Sequence, residues 1–139
     1  MIVACATDDG INLIKDHFGD AKYFYIYNVD SNDYKLIETL ENHIKSDKHA
    51  DPKKAKKIMD LLGSNGAQIF MNRAFGPNIK IIKQDIFPLV MHEESISKAL
   101  NKIQNSYEKI ENTIKKKKNL YFVINKEGVL KINDVKQKA

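Results

Sequence analysis

The segment "DPKKAKKIMDLLG" at residues 51–63 constrains the fold more than any other part of the chain. Asp51 is suited to cap a helix, Pro52 fits its first turn, and Gly63 closes the far end. Ala55, Ile58, Met59, Leu61 and Leu62 then form one apolar stripe. The neighbours of this helix are short β-type runs. "MIVACAT" comes before it and "AQIFM" and "IFPLVM" after it, with "NRAFGPN" opening a brief helix through "IKIIK". Strand, helix, strand, helix, strand predicts an α/β sheet with a parallel portion and right-handed crossovers. Pro88, which lacks an N–H, argues for an edge or strand-end position in the last run.

Antiparallel members are expected as well. "KYFYIYNVD" and "DYKLIETLE" flank "DSND", whose small polar residues favour a tight reversal, so they read as a hairpin. Alternation in the second arm sets Tyr34 and Leu36 on one face, with Lys35 and Glu38 on or near the other. The first run ends in "DDG", where Asp8, Asp9 and Gly10 make a turn.

From Glu94 onward Ile96, Leu100, Ile103, Tyr107, Ile110 and Ile114 recur at heptad steps. A helix running to "KKKK" would have about 24 residues and a length on the order of 36 Å, more than a domain of this size needs to cover its sheet. "NLYFVINKEGVLKI" reads as a terminal hairpin turning near Lys126 to Gly128. Tyr107, Ile110 and Ile114 on a straight helix would face water, so the C-terminal segment is expected to pair two copies of the chain, antiparallel or exchanged because of the like charges in "KKKK".

A chain of 139 residues is expected to form one domain around a single core. The lone Cys5 cannot form an internal disulfide and the first residues do not resemble a secretory signal, which predicts a cytoplasmic protein. No apolar run approaches a membrane span. The net charge of +5 is unevenly placed: residues 98–139 hold 11 lysines and 4 acids, whereas residues 1–97 are slightly acidic. With a single arginine, Arg73, the pattern reads as a solvated lysine-rich tail, and no nucleic-acid partner is expected.

Taken together, the strand ending in "DDG", the element "HFGDAKYF", the hairpin ending in "ETLEN", a loop histidine before a helix ending in "DLLG", the turn "FGPN" and the helix "EESISKAL" resemble the dinitrogenase iron-molybdenum cofactor biosynthesis family. The likeness spans about residues 1–103, with "HFG" before an aromatic strand the most specific piece. It implies a nitrogenase accessory factor-like α/β domain over 1–103, similar in fold to ribonuclease H with a mixed sheet flanked by helices. Residues 104–139 would then be a helical and β-hairpin extension. It further implies non-catalytic binding or carriage of an iron-sulfur cluster or an iron-molybdenum cofactor precursor, with donor or acceptor proteins as partners. The cofactor-binding residues would be Asp8, Asp9, His17 and the turn Gly76, Pro77 and Asn78, with His17, Cys5 and His49 as metal ligands. The chain departs from the family pattern at "HADP", where a histidine is usually followed by small, glycine-rich residues.

The chemistry agrees with a carrier better than with a scaffold. Building an iron-sulfur cluster usually takes several thiolates, and there is one cysteine. A preassembled cluster needs only one or two labile ligands, and the imidazole of His17 is one that iron accepts. Backbone amides near Gly76 to Asn78 are candidate donors to its negative edge. Each residue has a plainer reading: Cys5 as a small buried hydrophobe, His17 as a cap on the turn before the aromatic strand. Two-metal nuclease chemistry at Asp8 and Asp9 is discounted because adjacent residues on an extended chain point apart. Nucleophilic catalysis by Cys5 and His17 lacks a recognisable elbow. A metal-free interaction or regulatory domain is the alternative.

Overall fold

The computed structural model describes residues 1–44 and 51–134. Seven strands form one mixed sheet: β1 (Ile2–Thr7), β2 (Tyr23–Val29), β3 (Tyr34–Glu41), β4 (Ile69–Asn72), β5 (Phe87–Met91), β6 (Leu120–Ile124) and β7 (Leu130–Asp134). Their order is β3-β2-β1-β4-β5-β6-β7. β1, β4, β5 and β6 run parallel, while β2, β3 and β7 join as antiparallel hairpin partners. The β2–β3 reversal is built as the small polar residues suggest, with Asp30 Oδ1 accepting from the backbone N–H groups of Asn32 and Asp33. Pro88 is in the second place of β5, paired to β4 but one residue ahead of the β6 ladder, which begins at Leu89. This is the strand-end position its missing N–H requires.

Strand alternation sorts the core into two layers. Ala4, Ala6, Phe24, Ile26 and Phe70 point to one face, covered by α1 (Pro52–Gly63) through Ile58, Met59 and Leu62 and by the short α2 (Ile79–Ile82) through Ile82. Val3, Cys5, Met71, Leu89, Met91 and Phe122 point to the other, covered by α3 (Ile96–Asn105) and α4 (Tyr107–Lys116). Asp51 caps α1 by accepting from Lys53 N, and Ser95 caps α3 by accepting from Lys98 N; such caps contribute about 1 kcal/mol each. Gly63 is the last residue of α1, and the left-handed turn beyond it falls instead at Gly66, with φ of 79°.

The crossovers differ from the expectation of a single hand. β4 reaches β5 over the α1/α2 face, while β5 reaches β6 over the α3/α4 face, and both steps advance the same way across the sheet. Connections of that kind have opposite hands, so one is left-handed. Left-handed connections are rare exceptions to the right-handed rule, and two helices separate β5 from β6.

The expected long C-terminal helix is also corrected. It breaks at Ser106 (φ −115°, ψ 17°) into two ten-residue helices. Asn105 and Ser106 are poor helix formers whose side chains compete for the backbone, and the break lets the apolar seam turn back onto the sheet. Ile110 is fully buried and Ile114 packs against the same core. Ile110 and Ile114, which were expected to need a second chain, are covered by the chain's own sheet, while Tyr107 stays half-buried with its hydroxyl donating to Glu111 Oε2. The terminal hairpin turns at Asn125–Val129, with Gly128 at φ 84°, and continues the same sheet through β6. Among the described residues no helix is long and apolar enough to cross a membrane.

Candidate functional site

At the carboxyl ends of β1 and β4 the chain makes two loops that bind each other. After β1, the Thr7 hydroxyl donates to Asn12 O at 2.6 Å and accepts from Gly10 N at 2.9 Å. Asp9 Oδ1 accepts from the N–H groups of Ile11 and Asn12, both at 2.8 Å. These bonds, led by the one from Asn12, hold the Asp9 carboxyl below the usual carboxylate range. The loop then reaches β4 through Asn72, which is fully buried. Its Oδ1 accepts from Ile14 N, and its Nδ2 donates to Asp16 O and Ala74 O. So buried a polar side chain is tolerated because both of its polar atoms are hydrogen-bonded to backbone groups.

Those bonds set the position of "HFGD". His17 bridges Ala74, and Phe18 N donates to Ala74 O at 3.0 Å. Phe18 is driven into the core, where its ring stacks on Phe24, Phe70 and Phe75 at centroid distances of 5.1, 4.8 and 5.3 Å. Gly19 passes so close to α1 that a Cβ there would sit 2.9 Å from Ile58 Cδ1. His17 holds the N-cap position of the 3-10 turn Phe18–Asp20, yet its side chain makes no capping bond to that turn. The imidazole lies instead on Gly76, where a Cβ would come 2.5 Å from Cε1 and Nδ1. Gly76 also has φ of +66°, so both space and backbone call for glycine.

The structure therefore brings His17 together with the Gly76–Asn78 turn. It does not bring Cys5 there: Cys5 is fully buried on the α3/α4 face of β1, and burial pushes its thiol far above its ordinary pKa, so it packs as a small apolar side chain. Asp8 Oδ1 accepts from Lys22 N and Asp9 is occupied by its own turn, so both carboxylates serve loop geometry. Gly76–Asn78 is a 3-10 turn leading into only four helical residues, and Asn78 Nδ2 donates to Asp51 O at 3.3 Å. Helix α2 is too short to provide the expected set of helix N-terminal anion donors. His49 lies outside the described residues. Among the described residues no three His, Cys, Asp or Glu side chains converge to hold a metal ion. Sequence reasoning missed Phe18 and Asn72. The polar end of "IFMN" and the paired phenylalanines of "HFG" and "AFG" were the available signals.

A mixed sheet layered by helices, with a histidine where two strand-end loops meet, defines a small α/β domain. The sequence matches the dinitrogenase iron-molybdenum cofactor family over residues 1–106, and the chain belongs to that family. Membership associates it with biosynthesis or binding of that cofactor, a setting in which members act in general as accessory proteins. The crystal structure of PH0822 shares the fold at a TM-score of 0.52 and 19% identity, covering 77% of this chain and 89% of that one. The NMR structure of the Thermotoga protein TM1290 aligns at a TM-score of 0.44 and 22% identity, covering 78% and 87%. No curated protein matches the sequence.

Proposed function

We propose that the chain binds a preassembled iron-sulfur or iron-molybdenum type cluster without catalysis and passes it between a donor and an acceptor protein. The observation that carries this reading is the place of His17: its backbone bridges Ala74 where the loops after β1 and β4 meet, and its ring lies against Gly76, which leaves room for it. One imidazole is a labile attachment, which favours release over storage. Strand order and helical layers on both faces support the ribonuclease H-like reading of residues 1–103, to which residues 104–139 add as an extension. For self-association, the C-terminal segment offers the outer edge of β7, unpaired among the described residues.

Anaerobic incubation with iron and sulfide, or with a loaded cluster donor, tests the reading. The parent should acquire charge-transfer absorbance and bound iron, and His17→Ala should lose most of both while keeping its fold, because a loop ligand contributes little to the core. Colourless, iron-free parent protein under both treatments rejects the proposal, and equal iron in parent and His17→Ala removes His17 from the site.

A further inference from the structure

The opposite placement of the two parallel connections creates a second candidate site. After β4 the chain leaves over the α1/α2 face, and after β5 it leaves over the α3/α4 face. Between the carboxyl ends of two such strands an α/β sheet opens a crevice, and ligands bind there as a rule because the loops diverge and leave backbone and side chains facing an unfilled space. In this chain that crevice is a cleft of about 580 Å³. Arg73, directly after β4, forms one wall; His92 and Glu93, directly after β5, form another; Lys15 and Lys126 reach in from the neighbouring loops.

Its charge is one-sided. Lys102 Nζ is 2.9 Å from Glu93 Oε1 and also donates to Lys126 O, and its hydrogen bond holds the Glu93 carboxyl below the usual range. That pair is satisfied internally. What remains is Glu94 against Lys15, Arg73 and Lys126, three cations whose side chains make no hydrogen bond or ion pair among the described residues. Arg73 is the only arginine in a chain of 22 lysines, and it is half-buried here. Among the described residues its guanidinium, partly withdrawn from water, makes no hydrogen bond or ion pair that would offset the lost hydration. Its planar fork matches the paired oxygens of a carboxylate or phosphate.

We propose that this cleft binds a small multiply charged anion bearing carboxylate or phosphate oxygens, with Arg73 as the bidentate donor and Lys15 and Lys126 as flanking charges. Lys15 and Arg73 belong to the same two loops as His17, and the assignment is tested on the metal-free full-length chain, where no cluster is present. Calorimetric titration with citrate and, separately, with inorganic phosphate should show saturable binding of at least one, which tells the two sources apart. Arg73→Gln should weaken it about tenfold, the scale of a lost charge-assisted pair. Lys57→Gln, which removes the same charge from an exposed position on α1 outside the cleft lining, should leave it unchanged. In the unaltered chain, NMR resonances of Arg73, His92 and Glu93 should move together along the titration. Absence of binding by both anions at about 10 mM, equal weakening in the Arg73 and Lys57 variants, or resonance shifts confined to other surfaces would overturn the proposal.

Discussion

Replacing Gly76 by alanine probes the link between the fold and His17 without touching the histidine. The new methyl would stand 2.5 Å from the ring atoms Cε1 and Nδ1 and 2.9 Å from Nε2. Carbon atoms rest at about 3.5 to 4.0 Å, so the ring must retreat by about 1 Å or swing away. The backbone adds its own cost, since an alanine held at φ +66° loses about 1–2 kcal/mol relative to glycine. With the displaced ring contacts, Gly76→Ala should lose about 2 kcal/mol, or about 7 °C in Tm for a chain of this size. Gly63→Ala is the matched control: nothing lies within 4 Å of a Cβ there, in the last turn of α1. It should gain about 0.5–1 kcal/mol by restricting the unfolded chain. Thermal and urea unfolding give the two signs, and the His17 Cε1–H resonance reports the ring. Iron retained after anaerobic reconstitution should fall in Gly76→Ala and hold in Gly63→Ala. A Gly76→Ala protein as stable as the parent, with its His17 resonance unmoved, refutes the reasoning.

Phe18→Ala should cost about 3–5 kcal/mol, because it empties the centre of a four-ring stack; a loss below about 1 kcal/mol in urea would mean the loop does not depend on that ring. Asp9 has a folded pKa lowered mainly by the Asn12 and Ile11 N–H groups. Its contribution is therefore complete above the unfolded value of about 3.9 and is lost as pH falls through the lower folded value. Asp9→Asn should flatten that part of the acid limb by less than about 1 kcal/mol, since the group is exposed, and an unchanged limb would remove Asp9 as the turn's clasp. Ending the chain after Asn105 deletes Ile110, Leu120, Phe122 and Ile124, all fully buried, and at about 1.5–3 kcal/mol per side chain the urea midpoint should drop sharply; an unaltered midpoint would show the extension to be separate from the core. Sedimentation of the full chain at micromolar concentration checks self-association, and a monomer there discards the β7 edge as a dimer contact.

Local signals in the sequence carried the elements whose formation is itself local. Asp51 and Pro52 start α1, the "DSND" reversal joins β2 to β3, and glycine turns the last hairpin, because caps and tight turns depend on residues a few positions apart. The motif order around "HFG" also pointed to the family that the match over residues 1–106 shows. Tertiary structure decided matters that depend on distant contacts. A heptad pattern is the same for a straight helix seeking a partner and for a helix broken at Ser106 that folds onto its own sheet, and only the shared core of Ile110 with Phe122 and Ile124 selects the second. Asn72 and Phe18 become the supports of the His17 loop through partners more than 50 residues away in sequence. Arg73 comes to line a cleft with residues after β5 because two connections leave the sheet on opposite faces. Side-chain chemistry is written in the sequence, but what a side chain faces is set by burial and topology summed over the whole chain.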